Sequence, residues 1–145
     1  MIRSVLMVCE GNICRSPMAA ALLGRELPAL DVTSAGTHAL VGAPAHAVAA
    51  ELARAHGIAL GAHVATQLDA PLARAADLIL TMTKPQREWV EAMFPSTRGK
   101  VFRLCDTFGV DVTDPYRRHR TVFDLAFAQI QEGISHWTRS LAGQR

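Results

Sequence analysis

Short apolar runs alternate along the chain with longer stretches in which apolar residues recur every three or four positions. The short runs predict four strands, over Arg3–Val8, Asp31–Ala35, Ala76–Met82 and Val101–Leu104. The longer stretches predict four helices, from Ser16 to about Leu27, over Pro44–His56, from Lys84 through Phe94, and from Thr121 through Leu141. The segments Gly36–Gly42 and Asp106–Arg120 are predicted to be loops. Because strands alternate with helices, the pattern predicts an α/β fold: three layers, with a four-stranded parallel sheet covered by helices on both faces.

Length and composition fit a soluble globular protein. The 145 residues suit one domain over positions 1–145 with a substantial core, and half of them are hydrophobic. A net charge of +2 gives no reason to expect a nucleic-acid partner. The absence of any apolar stretch near 18 residues, and a cysteine count of three, favour a cytoplasmic protein with no membrane span.

Parallel sheets place functional residues beyond the carboxyl ends of their strands. The first predicted strand ends at Cys9, where the loop CEGNICRS leads into a helix. Such a loop directs backbone N–H groups inward, and the helix dipole adds to the attraction for an anion. Gly11 and Asn12 tolerate the backbone angles that a tight loop needs, and Arg15 offers a planar set of donors to a phosphate. The predicted phosphate-binding residues are Glu10, Gly11, Asn12, Ile13, Cys14, Arg15 and Ser16.

Cys9 is the candidate nucleophile at the base of this loop. The loop amides, the helix N-terminus and Arg15 all favour its thiolate form, which is the reactive one. Ser16 is placed to hydrogen-bond the sulfur, and it is also the predicted N-cap of the helix, with Pro17 at the first helical position. A zinc site is the alternative for Cys9 and Cys14, but zinc needs two further ligands and the sequence shows no suitable cluster. We therefore predict no metal site.

The stretch CEGNICRSP resembles the phosphate loop of the low-molecular-weight protein tyrosine phosphatases. Further matching segments follow in the family's order, at Thr33–Gly36, His56–Ile58, His63–Ala65 and Asp114–Tyr116. The bacterial members associated with polysaccharide-export tyrosine kinases look most similar. The resemblance implies hydrolysis of phosphotyrosine through a phosphocysteine, with no metal or organic cofactor. It also implies a phosphotyrosine protein as partner, here an autophosphorylated tyrosine kinase of exopolysaccharide production. The oligomeric state stays open, with a monomer favoured.

The resemblance assigns the general acid to Asp114 of the sequence Asp114-Pro115. Read alone, an Asp-Pro pair is a common turn starter, and Asp106 and Asp111 in the same loop are rivals. The family pattern selects Asp114, with Pro115 stiffening the loop that directs it. Protonating the leaving phenolate is worth about 10²–10⁴-fold in rate.

Four further positions are expected around the site by resemblance. Tyr116 and Leu40 would line the rim that receives the substrate ring. Ser34 and His63 would support Asn12 in the phosphate loop. The basic run over residues 117–120 has two open interpretations, a solvated loop or a rim that attracts acidic or multiply phosphorylated peptide.

Cys14 has two readings as well. Relatives with this loop use the second cysteine to capture an oxidised nucleophile as a disulfide, so Cys9 and Cys14 form a candidate redox pair. The alternative is a small apolar side chain beneath the loop.

Two other functions compete with the phosphatase. An arsenate reductase resembles this fold and loop, but such enzymes relay oxidation through further downstream cysteines, and only Cys105 follows here. A non-catalytic phosphopeptide-binding module would be expected to lack Cys9, Arg15 or Asp114, and all three are present.

Overall fold

The computed structural model describes residues 1–144. Its four strands are β1 (Ser4–Cys9), β2 (Asp31–Gly36), β3 (Leu78–Thr81) and β4 (Val101–Arg103). Its five α-helices are α1 (Arg15–Glu26), α2 (Ala47–Ala55), α3 (Ala70–Ala75), α4 (Lys84–Met93) and α5 (Arg120–Ala142). Short 3₁₀ turns follow at Pro95–Thr97 and Asp106–Phe108. The four predicted strands and four predicted helices are confirmed, with bounds that shift by up to three residues.

The strands form one parallel sheet in the order β2-β1-β3-β4. β1 is an inner strand, and its last residue, Cys9, lies beside Gly36 at the end of β2. A side chain on Gly36 would collide with the phosphate loop, because a Cβ there would meet the Glu10 carbonyl oxygen. The loop after β1 is therefore seated directly against the end of β2.

Alternation along β1 sends its side chains to two separate cores. Val5 and Met7 pack in a core that includes residues of α1, α2 and α5. Leu6 and Val8 pack in a second core with Ala73 of α3 and Val90 of α4. The sheet thus has helices on both faces, which confirms the predicted three-layer α/β fold.

Three local features differ from the sequence prediction. Helix α3 was not predicted, because six residues are too few for an apolar period to appear; its usable signals were Asp69, which caps the Leu72 N–H at 3.0 Å, and the early proline. Ser16 does not cap α1, which begins one residue earlier, since its hydroxyl is engaged by other groups in the loop. Helix α2 begins at Ala47 rather than at Pro44, capped by the His46 side chain.

None of the helices within residues 1–144 combines the length and apolar character that a membrane crossing requires.

Candidate active site

The loop between β1 and α1 closes around the Cys9 sulfur. Cys9 is almost fully buried, and its Sγ accepts the Asn12 backbone N–H at 3.3 Å. The Ser16 hydroxyl oxygen lies 2.8 Å from the same sulfur. A thiolate accepts only, so in that state Ser16 donates to it. Two donors thus lie in place to stabilise a negative sulfur as it attacks or departs.

Asn12 holds the loop in shape. It has a left-handed backbone, with φ of 58°, and no exposed surface. Its side-chain amide donates to Ser16 Oγ at 2.8 Å and to Ser34 Oγ at 3.0 Å, and its Oδ1 accepts the Thr66 N–H at 2.9 Å. His63 Nε2 donates to the Asn12 backbone carbonyl at 2.6 Å. The structure thus brings Ser34 and His63 to Asn12, as the sequence predicts, and adds Thr66, which no sequence signal marked.

Arg15 lies at the other end of the loop and is 3% exposed. Its Nη1 donates to the Val112 carbonyl at 3.0 Å, and its Nη2 lies 3.6 Å from Asp114 Oδ2. Asp114 has a side chain that is 46% exposed. Its Oδ1 accepts the Tyr116 N–H at 3.1 Å, which fixes the carboxylate on its turn. The loop after β4 thereby delivers a carboxylate to the phosphate loop.

The two rival aspartates are engaged elsewhere. Asp106 accepts from Arg103 Nε at 2.9 Å. Asp111 accepts from Arg103 Nη1 and from the Lys84 backbone N–H, both at 3.0 Å. Of the three candidates, Asp114 is the one that lines the cleft containing Cys9. The geometry therefore favours the aspartate that the resemblance selects.

A cleft of about 390 Å³ opens above Cys9. Cys9 and Arg15 are among the buried residues that line it, while Leu40 and Tyr116 are exposed parts of its wall, as the sequence predicts. The residues that line it are Cys9, Glu10, Gly11, Ile13, Cys14, Arg15, His38, Leu40, Asp114, Tyr116 and Arg117.

Two residues that the sequence grouped with the phosphate contacts do not line this cleft. Asn12 and Ser16 are fully buried behind the loop, where they support Cys9. Conversely, His38 lines the cleft although no motif marked it. Its ring lies near Trp89 of α4, with centroids 5.6 Å apart, so α4 supports the wall on this side.

Tyr116 is held between two side chains. The Arg117 guanidinium carbon lies 5.2 Å from the centre of its ring, and the His46 ring meets it edge-on at 6.1 Å. His46 also donates its backbone N–H to the Ile13 carbonyl at 2.8 Å. The aromatic wall of the cleft is therefore coupled to the phosphate loop through His46, a residue to which the sequence assigned no role.

The surroundings of the other two cysteines favour the protonated thiol. Burial, the negative charge on Cys9 and that on Asp114 raise the pKa of Cys14 to about 12, against a smaller lowering by Arg15. Burial, ahead of the Glu132 charge, raises the pKa of Cys105 to about 11. Cys105 lies under α5, with its Sγ donating to the Gln129 carbonyl at 3.2 Å, and does not line the cleft.

Known proteins are similar to this chain in sequence and in fold. The chain is 47% identical over 137 residues to the "Probable low molecular weight protein-tyrosine-phosphatase EpsP" of Ralstonia solanacearum, covering 94% of each chain. It superposes on the crystal structure of the tyrosine phosphatase Wzb from Escherichia coli K30, in complex with sulphate, with a TM-score of 0.94. That match has 34% identity and covers 97% of this chain and 99% of the other.

A third similar protein has a different substrate in its name. The YwlE arginine phosphatase from Geobacillus stearothermophilus is 32% identical to this chain, with a TM-score of 0.90. The match covers 96% of this chain and 92% of that one. A family model described as low molecular weight phosphotyrosine protein phosphatase matches residues 4–145. The chain therefore belongs to the low molecular weight phosphotyrosine protein phosphatase family, and its relatives named protein-tyrosine phosphatases are phosphoric monoester hydrolases.

Proposed function

We propose that residues 1–145 form one phosphatase domain that hydrolyses phosphotyrosine in proteins, with Cys9 as nucleophile, Arg15 as phosphate ligand and Asp114 as general acid and base. One observation carries the proposal: a buried thiol, a buried guanidinium and a half-exposed carboxylate line the same cleft. These are the nucleophile, charge stabiliser and proton donor that phosphate ester hydrolysis needs.

In the first step the Cys9 thiolate attacks phosphorus, and the bond from phosphorus to the phenolic oxygen breaks. Asp114 gives its proton to the departing oxygen, so tyrosine leaves neutral. Arg15 and the loop amides balance the charge on the phosphoryl oxygens. The products of this step are tyrosine and a phosphocysteine.

In the second step a water molecule attacks the phosphocysteine. Asp114, now a carboxylate, takes one proton from that water, and the Cys9 thiolate departs with the electrons of its bond to phosphorus. The hydroxyl of Ser16, 2.8 Å from the sulfur, stabilises the departing thiolate. Inorganic phosphate leaves, and the starting state returns.

The cleft walls favour an aromatic ester. Ile13, Leu40 and Tyr116 contribute apolar and aromatic surface to the cleft that contains Cys9, which suits a phenyl ring. The physiological substrate we propose is an autophosphorylated tyrosine kinase of exopolysaccharide production, on the strength of the likeness to the bacterial tyrosine phosphatases.

Steady-state hydrolysis of matched phosphopeptides tests the proposal. Peptides that carry phosphotyrosine, phosphoserine, phosphothreonine or phosphoarginine in the same context are compared, each with and without a chelator. We expect the phosphotyrosine peptide to be hydrolysed with the highest kcat/KM and no effect of the chelator. A higher kcat/KM for phosphoarginine, or loss of activity with the chelator, would contradict the proposal.

Cys9→Ser provides the mechanistic control. The variant should lose turnover but still bind vanadate, because the loop amides and Arg15 remain. Arsenate-dependent oxidation of reduced thioredoxin by the wild-type protein would instead favour the reductase alternative.

A further inference from the structure

Arg117 occupies a position in the turn after Asp114 that a side chain rarely takes. The Arg118 N–H donates to the Pro115 carbonyl at 3.0 Å, which closes a four-residue turn. Arg117 is the third residue of that turn, with φ of +60°. Glycine or asparagine is usual there, since other residues pay about 1–3 kcal/mol in backbone strain. An arginine with a strained backbone therefore lies at the edge of the cleft.

Arg117 has no ion-pair partner within the part of the chain that the structure describes. Among residues 1–144, no carboxylate oxygen lies within 4.0 Å of its guanidinium. By contrast, Arg15 pairs with Asp114, and Arg120 pairs with Glu51 at 3.0 Å. The Arg117 side chain is exposed and lines the same cleft as Cys9. A free cation therefore lies within the substrate's approach.

Tyr116 holds this cation in place. The guanidinium carbon lies 5.2 Å from the ring centre, within the range of a cation–π contact. A guanidinium that covers a ring keeps its edge donors available for an oxyanion. Tyr116 is itself held by its N–H bond to Asp114 and by the edge of His46. Arg117 is thus oriented by the same turn that positions the candidate general acid.

Two cations consequently line the cleft at different depths. Arg15, almost fully buried, lies beside Cys9 at the base and serves the phosphate under attack. Arg117, which is exposed, lies at the rim. We propose that Arg117 is a specificity-determining residue that binds a second oxyanion on the substrate chain, next to the phosphotyrosine. This inference rests on the proposed function, and the oxyanion is a carboxylate or a second phosphate.

Three peptides that share one phosphotyrosine test this inference. The first has alanine on both sides, the second has glutamate on both sides, and the third has a non-hydrolysable phosphotyrosine analogue on both sides. For the wild-type protein we expect kcat/KM to be about 5-fold higher on an anionic peptide than on the alanine peptide, and less so at high salt. The anionic peptide with the larger increase in kcat/KM shows whether the oxyanion is a carboxylate or a phosphate.

Arg117→Gln should bring the ratio of kcat/KM on an anionic peptide to kcat/KM on the alanine peptide close to one. Arg118→Gln is the matched control, because it removes the same charge from an exposed neighbour that does not line the cleft, and it should keep most of the ratio. Arg117→Gly is the second variant: it removes the side chain and relieves the strained backbone, so it folds even where the Gln variant does not. Its ratio of kcat/KM should also be close to one.

Three results would overturn the inference. The first is a wild-type ratio of one on both anionic peptides while phosphotyrosine is still hydrolysed, which leaves the proposed function intact. The second is an equal loss in Arg117→Gln and Arg118→Gln, which indicates general attraction by the basic run. The third is the absence of hydrolysis on every phosphotyrosine peptide, which overturns the proposed function and this inference together.

Discussion

Arg15 Nη2 lies 3.6 Å from Asp114 Oδ2, which joins the end of the phosphate loop to a loop far along the chain. The guanidinium is buried and the carboxylate half-exposed, so the pair spans from the base of the cleft towards its mouth. A phosphate that binds Arg15 therefore has the carboxylate beside it. If Asp114 is the general acid, as proposed above, this relationship puts its proton beside the ester oxygen.

Asp114→Ala should lower kcat on a phosphotyrosine peptide by about 10²–10⁴-fold, because the phenolate then leaves without a proton. The loss should shrink for a nitro-substituted aryl phosphate, whose leaving group is stable as an anion. The measurement is kcat across a series of aryl phosphates of decreasing leaving-group pKa. The dependence on leaving group should be steeper in the variant than in the wild type.

Asp111→Asn is the matched control for that series. Its carboxylate serves Arg103 and the start of α4, so the change should lower the free energy of unfolding without steepening the leaving-group dependence. If Asp111→Asn steepens the dependence and Asp114→Ala does not, the acid has been assigned to the wrong residue.

Asn12 should show two separable effects. Asn12→Ala removes three side-chain hydrogen bonds and also places alanine at a φ of 58°, so both kcat/KM and stability should fall. Asn12→Gly removes the same bonds but accepts that φ. We expect glycine to recover part of the free energy of unfolding, by about 1 kcal/mol, and little of the lost kcat/KM. Full recovery of kcat/KM by glycine would show that only the backbone angle matters.

Local signals in the sequence account for most of the fold. The start of α4 is set by a capping box of Thr83 and Gln86, and β1 and β3 are apolar runs. Both signals come from neighbours along the chain, so these elements could be predicted from the sequence. Helix α3 was missed because its six residues carry too few apolar positions to define a period.

The residues of the candidate site also differ in whether a local sequence signal marks them. Cys9, Arg15 and their loop form one contiguous motif, and Asp114 follows from the resemblance alone. Thr66, His38 and His46 reach the site through contacts between distant segments, such as the Thr66 N–H on Asn12 Oδ1. Side-chain identity at such positions carries no local signal, because the contact depends on where the loops meet in space.

Gly133 is predicted to be intolerant of alanine. Within a helix, glycine to alanine normally stabilises by about 1 kcal/mol. At Gly133 a Cβ would lie 2.7 Å from Leu104 Cγ and 3.0 Å from Cys105 Sγ, so α5 would be pushed away from the end of β4. We expect Gly133→Ala to lower the free energy of unfolding by about 1–3 kcal/mol. Gly24→Ala in α1, which meets nothing within 4 Å, should raise it. Urea unfolding of both variants measures whether each change raises or lowers the free energy of unfolding.

Cys105 should make stability depend on alkaline pH. Its pKa is raised from 9.0 to about 11 in the folded protein, mainly by burial. Above about pH 9 the unfolded chain loses this proton before the folded one does, so folding is progressively disfavoured up to about pH 11. The free energy of unfolding of the wild type should therefore fall more steeply across this window than that of Cys105→Ala. Parallel slopes for the two proteins would contradict the burial argument.

We propose that Cys14 captures an oxidised Cys9. Both thiols line the same cleft, and the Cys14 pKa is raised to about 12 mainly by burial and next by the negative charge on Cys9. Oxidation of Cys9 by peroxide to a sulfenic acid removes that charge, which eases ionisation of Cys14. The Cys14 thiolate can then attack the Cys9 sulfur, forming a disulfide and expelling the sulfenic hydroxyl, which takes a proton from solvent and leaves as water. Cys14 is thus inert during turnover and available once Cys9 is oxidised.

Cys14→Ser should keep much of its activity under reducing conditions. After a brief peroxide pulse it should recover less activity with dithiothreitol than the wild type, because its unprotected sulfenic acid proceeds to irreversible states. Cys105→Ser is the control, since that thiol lies outside the cleft and should recover as the wild type does. Non-reducing mass spectrometry should find a Cys9–Cys14 peptide only when both cysteines are present. Equal recovery in all three proteins, with no such peptide, would leave Cys14 as a buried apolar side chain beneath the loop.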